Sequence, residues 1–275
     1  MTSPIVSDHG LDHRALAGGV RRHGWVYFLD FRLRAERPFF WTFLLTALGN
    51  PLLYLAAMGL GLGALVQRPV DGVSYLHFVA PGLLIATLVM TAAGWGTWPI
   101  FSGFKWQKHY LAASATPMRP ANMADGETAG MVVRLGLQGA IFWLIGLPFG
   151  AWPTAASLLG VAIGVLAGLA MFTPLMAYSA TLQEEGLQFN FVNRLIVMPM
   201  FLFAGTFFPL ESMPVFLRWI GWLSPMCHGT QLARVASFGL PVPGWLVAVH
   251  LVVLVGLTVG GLAVAHRTFA RRLVR

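Results

Sequence analysis

Between Leu135 and Gln183 the chain runs for 49 residues without one Asp, Glu, Lys or Arg. Such a run is too apolar for a water-facing surface and too long for one helix. A helix needs roughly 20 apolar residues, at about 1.5 Å rise each, to cross about 30 Å of hydrocarbon. The run therefore holds two crossings, divided where Gly146-Leu147-Pro148-Phe149-Gly150-Ala151-Trp152-Pro153 supplies turn residues. The stretches 38–67, 72–104 and 235–266 are also uncharged and each holds one more crossing. Leu195–Leu210 is uncharged for only 16 residues, so a further span must begin earlier, near Phe189, with Arg194 snorkelling at one end.

This reading gives an all-α polytopic membrane protein with six spans, at residues 39–66, 76–100, 130–150, 155–182, 189–210 and 243–265. Composition agrees. Apolar residues make up 57% and charged residues 10%, against about 45–50% and about 25% in soluble domains. A soluble enzyme, a disordered chain and a disulfide scaffold are excluded together; Cys227 stands alone. The net charge of +8 does not point to nucleic acid, because the basic residues cluster at the edges of apolar runs.

Their distribution sets the orientation. Six spans put both termini on one side. On that side fall Arg14, Arg21, Arg22, Arg32, Arg34, Arg37, Lys105, Lys108, Arg119, Arg134, Arg194, Arg267, Arg271, Arg272 and Arg275, against Arg68, Arg218 and Arg234 opposite. Positive charge is retained on the cytoplasmic side, so both termini are expected there. Glu184-Glu185 falls inside, and Asp71 and Glu211 outside. Residues 1–24 form a polar tail with no apolar run resembling a cleavable signal, and residues 266–275 a basic tail. Trp25–Phe40 mixes Trp25, Phe28, Leu29, Phe31 and Leu33 with charged residues, as in an amphipathic helix lying at the interface. The competing reading is a helical extension of the first span, and Pro38 favours a bend.

Two segments are not crossings. Ser102–Thr128, on the cytoplasmic side, is too long for a turn. Phe104–Leu111 has aromatic and basic residues at helical spacing, with Trp106 and Tyr110 four apart and so on one face; Pro117 and Pro120 stop the helix. The segment is either a short helix offered to a partner or an ordinary solvated loop. Glu211–Leu240, outside, holds two short apolar stretches split at Ser224-Pro225, each with one arginine, Arg218 and Arg234. Stretches of that length re-enter the bilayer or lie along its surface. Phe216, Trp219, Ile220, Trp222 and Leu223 suit the interface, as a re-entrant hairpin or a plain aromatic belt. Gly160, Gly164 and Gly168 repeat every fourth residue, as do Gly256 and Gly260; such stripes let helices approach closely, within one chain or between two.

Some chemistry is missing. A phosphate loop needs Gly-Lys-Ser/Thr, but Lys105 follows Phe104 and Lys108 follows Gln107, so this chain binds no ATP by that route. No His-Glu-x-x-His site occurs, and the eight histidines lack metal spacing. Within the spans His250 is the one ionisable side chain well inside, which argues against a proton- or sodium-coupled carrier. His77 and His228 lie near the outer face as interfacial hydrogen-bonding residues.

The local motifs resemble the permease subunits of ABC-2 type exporters, and among these the NodJ branch, whose members export lipo-oligosaccharides. They are Tyr75-Leu76-x-Phe78-x-Ala80-Pro81-Gly82-Leu83, Thr116-Pro117, Asp125-Gly126-Glu127, Phe189-Asn190-Phe191, the run Pro199-Met200-x-Leu202-Phe203-x-Gly205-x-Phe207-Phe208-Pro209, Pro225-x-x-His228-Gly229 and Leu232-x-Arg234. The resemblance covers the chain from about Phe39 to the C-terminus. The resemblance implies two permeases, identical or paralogous, in a bacterial inner membrane, working with two ATPase subunits that bind the ATP and magnesium. It implies no cofactor on this chain and no catalytic residue. Residues 102–128 would be the coupling loop, with Lys105, Trp106, Lys108, Tyr110, Thr116, Pro117, Asp125 and Glu127 reaching the ATPase. The hairpin 211–240 would cap the substrate exit, with Glu211, Arg218, Trp219, Trp222, His228 and Arg234 there, His228 and Arg234 meeting a polar head group. The substrate expected is amphipathic: a glycolipid, lipo-oligosaccharide or hydrophobic drug. The competing functions are a lipid-modifying membrane enzyme, which would need paired acids, a nucleophile or a metal cluster at bilayer depth, and an assembly subunit with no transport path.

Overall fold

A computed structural model describes residues 13–65, 69–184 and 187–273. Residues 1–12 of the polar tail, Arg68, Glu185 and Arg275 lie outside the described residues. The described chain is helical. Its one β feature is an isolated bridge between Val70 and Val73, where Asp71 (φ 50°) and Gly72 (φ 79°) form a tight turn.

The first helix, α1 (His13–Glu36), has a kink at His23 (φ −114°, ψ 17°). A 3-10 turn, Arg37–Phe39, carries Pro38 and leads into α2 (Phe40–Tyr54), which continues as π-helical turns over Leu55–Leu62. The bend expected at Pro38 is therefore a single tightened turn, because proline fits the first turn of a helix without losing a bond. The next helix, α3 (Tyr75–Gly96), is capped by Ser74, whose hydroxyl accepts from His77 N. A break at Thr97 separates it from α4 (Trp98–Lys105), and α5 (His109–Ser114) follows. Then come α6 (Pro120–Gly146), with proline at its first position, and α7 (Leu159–Ser179). The fifth predicted span is α8 (Gln188–Phe191), π-helical turns over Val192–Val197, and α9 (Met198–Phe203). The hairpin consists of α10 (Val215–Leu223) and α11 (Pro225–Phe238), and α12 (Gly244–Leu273) closes the chain.

Among the described residues five helices are long and apolar enough to cross a membrane: Gly18–Met58, Tyr75–Lys105, Pro120–Gly146, Ala155–Ser179 and Gly244–Leu273. The fifth predicted span differs from them. Its helical run over residues 188–203 reaches only about 24 Å at 1.5 Å per residue. It ends at Phe203, and two residues on Gly205 has a φ of 79°, a left-handed conformation that glycine adopts without strain.

Packing is centred on α3. From Phe78 to Val89 every residue is buried, as expected of a helix apolar on all faces. It lies against α7 and α11, with α6 on a further side, and α12 lies along α7. The glycine stripe on α7 serves these contacts. A methyl group at Gly164 would stand 2.6 Å from Leu88 Cδ1, and one at Gly168 would stand 2.5 Å from Leu135 Cδ1. The second stripe does not behave alike. Gly256 and Gly260 face open space, while the neighbouring Gly261 presses on Thr173 and Pro174. Helix phase moved the contact by one residue.

Candidate functional site

The motif Asp125-Gly126-Glu127 opens α6, and each of its three residues reaches a different element. Asp125 Oδ1 lies 2.6 Å from His266 Nε2 on α12. Gly126 admits α1: a methyl group there would meet Phe28 Cβ at 2.8 Å and Trp25 O at 3.0 Å. Glu127 is buried, accepts from the Tyr110 hydroxyl of α5 at 2.6 Å, and pairs with Arg32 Nε of α1 at 3.0 Å. The ion pairs continue along α1 and α6. Arg32 approaches Glu36 at 3.5 Å, Glu36 also pairs with Arg134, and the Arg134 guanidinium lies 3.8 Å from the Trp95 ring centre on α3. A buried charge is tolerated only when paired and hydrogen-bonded, and this chain of groups meets that condition.

Aromatic rings enclose the cluster. Tyr110 stacks on Phe28 at 5.8 Å and meets Phe104 at 4.3 Å and Phe269 of α12 at 5.2 Å. Burial, reinforced by the Glu127 charge, holds the Tyr110 phenol well above its usual pKa, so it donates as a neutral hydroxyl. Burial, with Arg32 nearby, pushes His109 down to about 4. Glu127 lies 3.9 Å from that ring, but Arg32 already balances its charge, so burial decides and His109 is neutral. Arg272 near the end of α12 donates to Ser179 O and Ala180 O, covering the C-terminus of α7, and lies over the Phe104 ring. Segments near both chain ends thus meet at the same end of the bundle as α5.

This geometry corrects the expected coupling helix. One helix over 104–115 would put Trp106 and Tyr110 on a shared face, but the helix stops at Lys105 and restarts at His109 across Lys108, which is left-handed at φ 54°. The aromatics diverge as a result. Tyr110 is fully buried and faces Glu127, whereas Trp106 is 50% exposed and stacked on Trp98 at 5.8 Å. The outward surface includes Lys105, Trp106, Lys108, Leu111, Thr116, Pro117 and Arg119, with Leu111 57% exposed. Lys105 donates to Gln183 O, and the Thr116 hydroxyl to Ala113 O. Leu111 escaped the sequence reading because apolar residues on a short amphipathic segment are assigned inward by default.

The hairpin lies at the opposite end. A cleft of about 350 Å³ brings together Glu211, Trp222 and Arg234 with Asp71, Gln231 and His250. Arg218 is absent from its walls, donating to Met213 O and Glu211 O, and Trp219 is exposed. Arg234, expected to meet a head group, is turned inward: it donates to Phe78 O, Gly205 O and Thr206 O, over the Phe78 ring at 3.6 Å. Its donors serve the carbonyls that the break at Gly205 leaves without a helix ladder. His228 is likewise committed. Its Nδ1 lies 2.6 Å from His250 Nδ1, and its Nε2 lies 2.9 Å from Trp222 O. With Nε2 donating to the Trp222 carbonyl, Nδ1 of His228 is left to accept from Nδ1–H of His250. The sequence singled out both histidines, but 22 residues of separation gave no sign that they pair. Among the described residues no group of three or more His, Cys, Asp or Glu is placed to hold a metal.

The ABC-2 type transporter family matches residues 40–238. Nodulation protein J of Rhizobium leguminosarum bv. viciae is 31% identical over 229 residues, covering 83% of this chain and 86% of its own. Nodulation protein J of Rhizobium leguminosarum bv. trifolii is 32% identical over 200 residues, covering 72% and 75%. That of Rhizobium meliloti (strain 1021) is 30% identical over 216 residues, covering 78% of each. No solved structure matches the chain. The match spans α2 to α11, and so includes Glu127, Tyr110 and the hairpin: the chain belongs to the ABC-2 type transporter family, as a membrane-embedded permease subunit.

Proposed function

We propose that this chain is the permease of an exporter that moves an amphipathic molecule out of the cytoplasm or inner leaflet of a bacterial inner membrane. ATP and magnesium are bound by a separate ATPase subunit, and a second permease, identical or paralogous, completes the pathway. The observation that carries the reading is the buried cluster at Glu127. It joins α5, α1 and α6, with Asp125 adding α12, so a push on the exposed loop is felt by several helices at once. The 15-to-3 basic asymmetry supports cytoplasmic termini.

The roles within the loop divide. Trp106 and Leu111 supply apolar contact for the ATPase, and Lys105, Lys108 and Arg119 supply steering. Tyr110 and Glu127 transmit. The double variant Trp106→Ala/Leu111→Ala should release the ATPase on co-purification. Tyr110→Phe should keep the ATPase bound yet lower export, because it removes only the hydroxyl that ties α5 to Glu127. If Tyr110→Phe exports normally, the cluster does not transmit.

A further inference from the structure

Between α7 and α12 a groove runs toward the end of the bundle that carries α5. Its apolar part, of about 410 Å³, lies between Pro174, Ala177 and Tyr178 of α7 and Gly256, Gly260 and Val264 of α12. Beyond it a cleft of about 200 Å³ is walled by Gln183, Arg271 and Arg272. Thr181 and Thr268 line both, so the apolar groove opens directly into the basic cleft. Gly256 and Gly260 face open space, which leaves the groove room for a chain.

The depth of the groove identifies what covers it. From Gly256 to Thr268 it follows α12 for about 18 Å, at about 1.5 Å per residue. That is close to half of the hydrocarbon core, which is about 30 Å thick. Gly256 stands near the middle of the span, so the groove serves one leaflet and ends near the midplane. A transmembrane helix of another protein would need a furrow through both leaflets, whereas a lipid needs only one. The mouth then selects the head group. Arg271 is exposed, and Arg272 keeps its charge there while its Nη1 donates to Ser179 O and Ala180 O. Among the described residues no carboxylate lines either cleft, so nothing in the walls neutralises these two cations. A basic pocket between transmembrane helices at the membrane surface attracts anionic lipid heads.

We infer that this groove holds a resident anionic glycerophospholipid, with one acyl chain along Gly256 and Gly260 and its phosphate at Arg271. On the orientation proposed above, the leaflet is the inner one. The lipid is a fixed ligand and not cargo. It braces the end of α12, where His266 meets Asp125 and Phe269 meets Tyr110, so it supports the cluster at Glu127 from the membrane side. The inference goes beyond the exporter reading and does not depend on it.

The test is native mass spectrometry of the full-length permease in detergent micelles supplied with dioleoyl phosphatidylglycerol and dioleoyl phosphatidylcholine. The two lipids share their chains and differ in net charge. Phosphatidylglycerol should be retained about fivefold more strongly, the effect of about one arginine at a membrane surface. Arg271→Gln, at an exposed position that leaves the core intact, should remove that preference. Gly260→Leu, whose side chain enters the open groove, should weaken retention of both lipids. Equal retention of the two lipids by the unaltered chain, a preference that survives Arg271→Gln, or unchanged retention by Gly260→Leu overturns the site. Displacement of phosphatidylglycerol by inorganic phosphate, compared with sodium chloride at equal ionic strength, overturns the lipid in favour of a free anion. The assay needs neither ATPase nor export, so a failure of the exporter reading leaves its result standing.

Discussion

Arg234 offers the sharpest separation of structure from transport. Its guanidinium is 1% exposed and bonds three carbonyls, two of them in the non-helical break at Gly205 and Thr206. In Arg234→Ala those two carbonyls are buried and unpaired, at about 1–3 kcal/mol each, and the Phe78 cation–π contact is lost as well. A loss of about 3–5 kcal/mol follows, which for a chain of this size lowers the melting temperature by on the order of 10 °C. Arg234→Lys should fall between, since an ammonium cannot fork across three acceptors. The assay is thermal unfolding of the purified permease in detergent, read by fluorescence-detected size exclusion. If Arg234→Ala melts within about 2 °C of the unaltered chain, the staple is wrong. Should such a variant also lose export, the head-group role expected from the sequence returns.

Gly261→Ala should reduce folded yield, because its methyl would stand 2.6 Å from Pro174 N, whereas Gly260→Ala, which faces open space, should not; expression in membranes of the two variants side by side decides this. His109, held at about 4, binds no proton when folded between pH 6.5 and 4, whereas the unfolded chain does. Stability should therefore fall as pH drops through that window, more steeply than in His109→Gln, as measured by melting temperature against pH; parallel curves would contradict it. Cysteine placed at Asp71, after Cys227→Ser, should react with an impermeant maleimide in intact cells, and protection there would reverse the assigned orientation.

The span-forming segments were legible because hydrocarbon imposes one coarse demand, and long uncharged runs satisfy it. The tightly buried α3 follows from the same signal, since no charged residue interrupts it on any face. What the sequence could not show was where polar groups find partners. Tyr110 looked like a partner-facing aromatic because Trp106 lies four residues away. Lys108 adopts a left-handed conformation that hydropathy does not register, and it rotates Tyr110 toward a carboxylate 17 residues downstream. Arg234 and His228 looked like interfacial groups because arginine and histidine usually are. Their partners, Phe78 and His250, lie 156 and 22 residues away, in helices that only the fold brings near. The same reason hid the bond by which Gln138, an unremarkable amide in a span, donates to Thr91 of a neighbouring helix 47 residues away. In a chain with so few charged groups, each buried polar atom is nearly forced to find a partner, so its partner tells more about mechanism than its residue type.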